Sequence, residues 1–321
     1  MRKIFVTGSN GLLGTNLIEL LINQGFYVKA LVRNLKRYHG PQHNNLELIV
    51  GALYSDLSNH LKEVDCVIHV AAMTDQSETN YARYYDVNCA STLHLATKAN
   101  KHNVKKFIFV STANSIGYGS FQFPGVESNI IRAPFDASYY AESKRIAEIS
   151  LLRQSYKMNV VIVNPTFMLG AYDSKPSSGK MVLMALNKKI IFYPPGGKNI
   201  VHVNDVAQGI INCIQKGENG EKYLLANVNI PYKVFFKQVV KFNKQKSLLI
   251  PVPKFLLLLV GYIGDLIRLT GINTNISSVN MKILCVNNYY SNKKSKQKLN
   301  LKYQPLDIIL KDTIDYFKSK T

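Results

Sequence analysis

Cysteine and acidic residues are both scarce in this chain. The four cysteines, at positions 66, 89, 213 and 285, lie far apart without a C-x-x-C spacing, which argues against a disulfide framework or a zinc site. Twenty Asp and Glu stand against forty Lys and Arg, a formal net charge of +20. Such a surface can attract phosphate-bearing ligands, anionic membranes or nucleic acid, or can simply be solvated. The densest basic run, 293–298, lacks interleaved aromatic residues, so we expect no nucleic-acid binding.

Long apolar runs are missing too. No stretch reaches the ~20 apolar residues that a membrane span needs, and the start of the chain does not resemble a signal peptide. We therefore expect a cytoplasmic protein. The longest apolar run, 255–260, continues through Tyr262 and Ile263. It is either an ordinary core helix, part of a lobe for an apolar substrate, or an amphipathic helix that makes peripheral contact with an anionic membrane.

The first half of the chain alternates short apolar runs with helical spacing. This pattern predicts an α/β fold of the Rossmann type, a doubly wound parallel sheet covered on both faces. The predicted strands are 3–6, 27–32, 46–50, 66–70, 107–110, 160–163 and 223–226, and the predicted helices begin near 12, 81, 140 and 204. Residues 171–199 carry loop signals, and 228–321 is predicted to be mostly helical. We expect a dinucleotide-binding domain of residues 1–165 with about 200–227, and a smaller substrate-binding lobe of about 166–199 and 228–321.

A glycine-rich turn follows the first strand. Thr7 to Gly14 reads as G-x-x-G-x-x-G and leads directly into a helix. Glycines let the backbone approach a pyrophosphate closely, and the helix N-terminus offers free N–H groups to it. The turn therefore predicts a dinucleotide site, with these loop residues in contact with the cofactor: Gly8, Asn10, Gly11, Leu12, Leu13 and Gly14.

The end of the second strand predicts which dinucleotide is bound. NAD sites place an acid there for the ribose 2′-hydroxyl, whereas this chain reads Ala30 to Asn34 without an acid. Arg33 can bind a 2′-phosphate through its planar fork. We expect NADP(H) to be preferred, with NAD(H) as the alternative.

Tyr140 and Lys144 are four residues apart at the start of a predicted helix, so they share one face. An ammonium beside a phenol favours the phenolate and brings the tyrosine towards useful acid–base range. Ser111 and Thr112 end the fifth strand, where ligands bind in this architecture. Either hydroxyl can hydrogen-bond a substrate oxygen or cap the following turn.

Together these motifs resemble the extended short-chain dehydrogenase/reductase family, over nearly the whole chain. The ordered matches are Thr7–Gly14, Asp65–Ala72, Asn88, Ser111-Thr112, Tyr140–Lys144, Asn164–Gly170 and His202–Val206. The Val32-Arg33 ending and the Asn164-Pro165-Thr166 stretch look like the dihydroflavonol reductase branch, which uses NADPH.

The resemblance implies further roles. Thr112 takes the place of the catalytic serine or threonine, with Tyr140 and Lys144 as its catalytic partners. Asn88 supports the central helix, and a homodimer would form through helices near 81–102 and 140–156. The implied cofactor contacts outside the glycine loop are Arg33, Leu53, Ala71, Ala72, Ser111, Tyr140, Lys144, Pro165 and Phe167.

One position departs from the family pattern. Where the family commonly has Gly-Asp-Leu after the third strand, this chain has Gly51-Ala52-Leu53. Leu53 keeps its backbone, but a side-chain hydrogen bond to the adenine is missing, and Asp56 is the candidate replacement.

Three functions fit these observations. The first is a carbonyl reductase or alcohol dehydrogenase that uses NADP(H) and acts on a hydrophobic small molecule, with Tyr140 as proton donor. The second is a sugar-nucleotide epimerase or dehydratase with tightly held NAD, against which Arg33 without an acid argues. The third is a dinucleotide-sensing scaffold without catalysis, against which the retained Tyr140 and Lys144 argue.

Overall fold

The computed structural model of the protein describes residues 2–320. The strands in chain order are β1 Lys3–Thr7, β2 Tyr27–Val32, β3 Leu46–Val50, β4 Cys66–His69, β5 Lys106–Val110, β6 Asn159–Pro165, β7 Phe167–Leu169, β8 Ile190–Tyr193, β9 Gly197–His202, β10 Lys222–Leu225, β11 Val228–Pro231, β12 Leu248–Pro251 and β13 Asn287–Asn288. The helices are α1 Leu12–Asn23, α2 Ser58–Leu61, α3 Tyr81–Tyr85, α4 Ser91–Lys101, α5 Tyr139–Arg153, α6 Lys180–Leu183, α7 Val203–Lys216, α8 Tyr232–Phe242, α9 Lys254–Leu269, α10 Ser278–Leu284, α11 Lys293–Leu299 and α12 Leu306–Lys318.

A seven-stranded parallel sheet organises the first 225 residues. Its order is β3-β2-β1-β4-β5-β6-β10, with every neighbouring pair parallel. This confirms the predicted doubly wound α/β fold. The chain reverses its winding direction between β1 and β4, and in such sheets ligands bind at the carboxyl ends of the strands beside that point.

Two apolar cores cover the two faces of this sheet. On one face α1 and α7 pack through residues such as Leu17 and Ile210. On the other face α4 and α5 pack through Leu95 and Leu151. All five residues of β5 are buried, as expected for a strand covered on both sides.

The helix predicted from 81 to 102 contains a wider turn. Between α3 and α4 the chain makes a π-helical segment, Asp86–Ala90, that keeps the helix continuous. Short π segments are frequent at functional sites because they redirect a side chain. Here the segment contains the buried Asn88, which faces α5.

The prediction that the C-terminal part is mostly helical was incomplete, and the loop prediction for 171–199 was partly wrong. A second sheet joins β7, β9, β11 and β13, and β8 pairs with β12. These strands are two to six residues long, and they take their hydrogen bonds from partners distant in the chain, so periodicity alone does not reveal them. The division into a dinucleotide-binding domain and a substrate-binding lobe stays a prediction.

Helix α7 begins at Val203, close to its predicted start near 204. His202 is the N-cap, because its ring Nδ1 accepts a hydrogen bond from the Asn204 amide at 3.2 Å. Asn204 and Asp205 already lie inside the helix. Within residues 2–320 no helix has the length and apolar character needed to cross a membrane.

Candidate active site

The glycine loop connects β1 to α1 in a conformation that requires two of its glycines. Gly8 has φ +71°, and a Cβ there would lie 2.6 Å from the Ala71 amide nitrogen. A Cβ on Gly14 would lie 2.1 Å from the Gly8 carbonyl oxygen. Both contacts are with backbone, so no side chain can move aside. These glycines hold the loop against the end of β4.

Gly11 has a different role from its two neighbours. A Cβ there would have one neighbour, the Gly8 oxygen at an ordinary 3.5 Å, and would otherwise point into open space. Gly11 is also the N-cap of α1, which has no capping side chain and no acid in its first turn. The first-turn amides of Leu12 and Leu13 therefore keep their positive partial charge for an anion. The glycine loop and this uncapped helix N-terminus form a cradle that fits a pyrophosphate, and Asn10 lies beside it.

The end of β4 contains a buried histidine that the sequence analysis did not single out. His69 lies between two threonines, with its Nδ1 2.7 Å from Thr7 Oγ1 and its Nε2 3.0 Å from Thr92 Oγ1. Burial, together with a smaller effect of the nearby Lys144, lowers the pKa of His69 to about 3, so the ring is neutral at physiological pH. The Ala71 amide donates to Thr7 Oγ1 at 3.2 Å. Ala71 and the following Ala72 thus border the glycine loop at the switch point.

Arg33 directly follows β2 at the same edge of the sheet. Its side chain is exposed and has no ion pair among the described residues, whereas the Asn34 side chain accepts from the Lys36 amide.

In the segment that follows β3, Leu53 packs against the core and the Ala52 amide donates to Ser55 Oγ. The carboxylate of Asp56, the candidate replacement for the missing family acid, accepts from the Ser58 amide at the start of α2 at 3.0 Å.

Tyr140, Thr112 and Lys144 meet at the carboxyl end of β5. The Ser138 side chain caps the N-terminus of α5, so the helix begins at Tyr139. This start determines the direction in which Tyr140 points. A hydrogen bond with Thr112 lowers the pKa of Tyr140, but burial has the larger effect and raises it. The pKa of Tyr140 is therefore raised, whereas the sequence analysis expected Lys144 to lower it. Thr112 Oγ1 also accepts from the Asn114 amide, so its hydroxyl caps the turn as well.

Lys144 is 1% exposed. Its Nζ donates to the Val110 carbonyl oxygen at 2.8 Å and lies 4.4 Å above the ring of Phe109. Burial lowers the pKa of Lys144 to about 7, a net value that includes the opposing effect of the Glu148 charge one turn along α5. The lysine therefore titrates close to neutral pH.

Glu148 is the centre of a buried polar network that the sequence analysis missed. Its carboxylate accepts from Ser111 Oγ, from Ser115 Oγ at 2.6 Å and from Asn164 Nδ2 at 2.7 Å. Its other oxygen pairs with Lys222 Nζ at 2.5 Å. Ser111, predicted as a cofactor contact, therefore directs its hydroxyl into the interior. The four-residue step from Lys144 to Glu148 was the only sequence signal for this group.

Asn88 joins the π segment to both sides of the site. Its side-chain oxygen accepts from the Met73 amide at 2.7 Å, and its Nδ2 donates to the Met73 carbonyl and to Ser143 Oγ. Ser143 in turn donates to the Tyr140 carbonyl at 2.9 Å. Asn88 thus supports the first turn of α5, in agreement with the role that the resemblance implied.

Pro165 and Phe167 lie at the end of β6 and the start of β7. Pro165 is buried beside β10, and Lys198 Nζ lies 4.7 Å above the Phe167 ring. Thr166 between them donates to Asn199 Oδ1 at 2.7 Å. These contacts fix the β6–β7 connection at the edge where the nicotinamide end of the cofactor is expected.

A cleft of about 290 Å³ opens beside Tyr140. All of its lining residues except Ala137 and Val279 carry a polar group, and they include Glu78, Arg268 and Asn280. The apolar run 255–263 does not line it. Gly261 and Gly264 bring α9 against residues 276–278, which presents Asp265 and Arg268 to the cleft and leaves the apolar side chains outside. Of the interpretations of this run, the lining of an apolar substrate pocket therefore does not apply to this cleft.

Comparison with known proteins places the chain in a family. The model of the NAD dependent epimerase/dehydratase family matches residues 4–228, more than half of the chain. The chain belongs to this family, which confirms its predicted membership of the extended short-chain dehydrogenases/reductases. It is thus a member of an enzyme family that binds a nicotinamide dinucleotide, and the matched residues include the glycine loop, Thr112, Tyr140 and Lys144.

Individual relatives carry different activities. A Synechocystis sp. protein provisionally named dihydroflavonol 4-reductase is 27% identical over 330 residues, with 98% of this chain and 94% of that protein covered. The UDP-glucose 4-epimerase of Vibrio cholerae is 28% identical over 237 residues, 70% of each chain. The crystal structure of gox2253 matches with a TM-score of 0.83 and 27% identity over 100% of this chain and 99% of that one. The family contains both reductases and epimerases, so the choice between them depends on the site.

Proposed function

We propose that the protein is an NADP(H)-dependent oxidoreductase that reduces the carbonyl group of a small molecule to an alcohol. The observation that carries this proposal is the position of the Tyr140 phenol. It borders the cleft, interacts with Thr112 and lies one helical turn from the buried Lys144, at the same edge of the sheet as a glycine cradle that fits a dinucleotide.

Each residue of the site has a defined task in this reaction. Thr112 and Tyr140 hydrogen-bond the carbonyl oxygen and orient it. A nicotinamide dinucleotide held by the glycine loop would supply the hydride for this reduction. Tyr140 gives its phenolic proton to the oxygen, because its raised pKa keeps it protonated until negative charge develops there. The phenolate then regains a proton through the cleft, while the nearby Lys144 stabilises the anion and binds the ribose hydroxyls.

NADP(H) is the proposed cofactor because of the charge at the end of β2. The exposed guanidinium of Arg33 can form paired hydrogen bonds with a 2′-phosphate. No carboxylate follows the strand directly, so nothing there selects the ribose hydroxyl of NAD. The polar cleft favours a substrate with polar groups in addition to its carbonyl.

The experiment that tests the proposal begins with the purified full-length chain. After a check for dinucleotide carried through purification, the protein is titrated with NADPH and NADH by calorimetry. We expect exchangeable NADPH to bind more tightly, and NADPH to be consumed with members of a ketone and aldehyde panel. Tightly retained NAD without NADPH consumption would overturn the proposal.

A sugar-nucleotide epimerase or dehydratase is the second candidate, and the polar lining of the cleft favours it. Such an enzyme keeps its cofactor and returns the hydride within each turnover. Incubation with UDP-glucose and chromatography of the products tests it directly. A scaffold without catalysis fits less well, because the tyrosine, the lysine and the threonine all remain in place.

The protein is also proposed to form a homodimer through α3–α4 and α5. Tyr85 and Leu152 on these helices are large exposed apolar side chains, and both lie away from the cleft. Light scattering of the unmodified chain and of Leu152→Glu tests the proposal. A monomer at micromolar concentration in the unmodified chain would contradict it.

A further inference from the structure

Helix α9 presents an unusual outer surface. Nine of its large apolar side chains are exposed, among them Leu259 at 54% and Leu266 at 65%. Only the two glycines are fully buried, and they contact residues 276–278 so closely that a Cβ at Gly264 would lie 2.4 Å from the Ile276 oxygen. A narrow stripe of the helix therefore packs on the protein. An apolar surface of this extent marks an interaction site.

Lys254 is the first residue of α9, and the other two charges of the helix do not interrupt this surface. Asp265 accepts from the Ser278 amide at 3.2 Å. Arg268 donates to the carbonyl oxygens of Gln76 and Thr274. Both side chains therefore point to the packed side, where they border the cleft. From Phe255 to Leu269 the outer face of the helix carries no charge.

The strands before α9 extend the apolar surface. In the parallel pair β8–β12, Ile190 lies opposite Leu248, and Phe192 opposite Ile250. Ile190, Phe192 and Leu248 are all exposed. Because alternate residues share a face of a strand, they form one apolar sheet surface, and β12 leads into α9 within three residues.

Lysines accompany the segments that form this surface. Between Val228 and Val286, the part of the chain that contains β12 and α9, there are eight Lys and Arg, among them the inward-facing Arg268, and one acid, Asp265. Lys282 Nζ lies 5.7 Å from the ring of Tyr262 on the outer face of α9. Lys188 and Lys189 precede β8, Lys244 and Lys246 precede β12, and among residues 2–320 no carboxylate pairs with any of these four.

We propose that α9 and the β8–β12 face form a docking surface for an anionic lipid bilayer, with α9 lying in the plane of the headgroups. At 16 residues the helix is about 24 Å long, too short to span the hydrocarbon core comfortably. Exposed apolar side chains flanked by lysines without carboxylate partners match an acyl boundary below anionic headgroups. A second copy of the chain is disfavoured on this face, because pairing two cation-rich lobes brings like charges together.

The geometry links this surface to the active site. The same helix carries Asp265 and Arg268 on the wall of the cleft beside Tyr140. Docking through the outer face of α9 would hold the cleft next to the membrane surface.

A tryptophan reporter tests the proposal, because the chain has no tryptophan of its own. Leu259→Trp places one on the outer face of α9, and Val50→Trp is the matched control at a similarly exposed position, 59%, on edge strand β3. With vesicles of phosphatidylcholine and phosphatidylserine at low salt, we expect the emission of Leu259→Trp to shift to the blue and that of Val50→Trp to stay unchanged. No shift in either variant would overturn the proposal.

Co-sedimentation of the full chain with the same vesicles gives a second measurement. The double variant Leu259→Glu/Leu266→Glu should lose at least tenfold in vesicle binding, while Val50→Glu retains it and all variants keep their circular dichroism. Vesicles of phosphatidylcholine alone should bind weakly. Binding that survives the double substitution would be purely electrostatic and would refute the role of α9. A dimer that the double variant abolishes, without vesicle binding by the unmodified chain, would assign the face to a second copy instead.

Discussion

Lys144 Nζ donates a hydrogen bond to the Val110 carbonyl oxygen at 2.8 Å, so the catalytic helix α5 is fastened to the end of β5 through a buried ammonium. The same ammonium lies above Phe109 and has no carboxylate in direct contact among residues 2–320. Burying a cation in this way is unfavourable, and sites with such perturbed groups are commonly functional. The lysine therefore links stability, pH dependence and catalysis in this protein.

Replacing the phenol tests the proton donor. Tyr140→Phe should reduce turnover by roughly 10²–10⁴-fold, because the carbonyl oxygen then lacks its proton source. NADPH affinity, measured by calorimetry, should stay nearly unchanged. Tyr262→Phe, at an exposed tyrosine that does not line the cleft, is a matched control and should keep its rate. Equal activity in Tyr140→Phe and the unmodified enzyme would exclude Tyr140 as the donor.

The glycine loop offers a matched pair of substitutions. Gly11→Ala should fold normally, since its φ of −91° suits alanine and its Cβ meets only ordinary contacts. The added methyl should displace the pyrophosphate and weaken NADPH by roughly tenfold or more, the loss of one or two charge-assisted hydrogen bonds. Gly14→Ala should lower the melting temperature instead, because its Cβ overlaps the Gly8 carbonyl. The same stability loss in both variants would contradict these separate roles.

Removing the guanidinium at the end of β2 tests cofactor choice. Arg33→Ala should weaken NADPH by roughly 10–100-fold, the cost of a lost charged hydrogen-bond pair, and should leave NADH nearly unaffected. Arg153→Ala, an exposed arginine at the end of α5, serves as the control. An unchanged ratio of the two affinities would show that Arg33 does not contact the 2′-phosphate.

Glu148 should act on the reaction through the charge of Lys144. Its carboxylate raises the lysine pKa, so Glu148→Gln should lower that pKa further. The alkaline limb of the pH–rate profile for carbonyl reduction should then move to lower pH, by on the order of one pH unit. Glu142→Gln on the same helix is the control, because Glu142 pairs with Arg145 instead. Coincident profiles for Glu148→Gln and the unmodified enzyme would argue for a purely structural role.

The stability of the cofactor-free protein should depend on pH through the same lysine. Between its folded pKa of about 7 and its ordinary value of 10.5, the unfolded chain holds a proton that the folded protein lacks, so stability rises with pH. Lys144→Met removes the buried charge and should stabilise the fold at pH 6 by roughly 1–4 kcal/mol. Thermal unfolding should show this advantage shrinking towards pH 10. A constant difference across that range would mean that Lys144 is not titrating in the folded state.

Much of the site could be predicted from the sequence because its parts are local. The strand–glycine turn–helix of residues 3–23 and the four-residue step from Tyr140 to Lys144 are each specified within a short segment. Backbone sterics and helical periodicity therefore place these residues on a known edge of the sheet before any distant contact forms. The same locality made the six apolar strands up to β6 predictable.

The tertiary structure decided what depends on distant partners. Glu148 gains its role only when Ser111, Asn164 and Lys222 converge on it, and β8 becomes a strand only when β12 pairs with it. The apolar run 255–263 read equally well as core, substrate pocket or surface. Two glycines decide between these interpretations, because they let a narrow stripe of α9 pack closely on residues 276–278. The remaining apolar side chains of the helix then face outward. Composition determined that this helix would be apolar, but only packing against a distant segment could determine which side of it faces solvent.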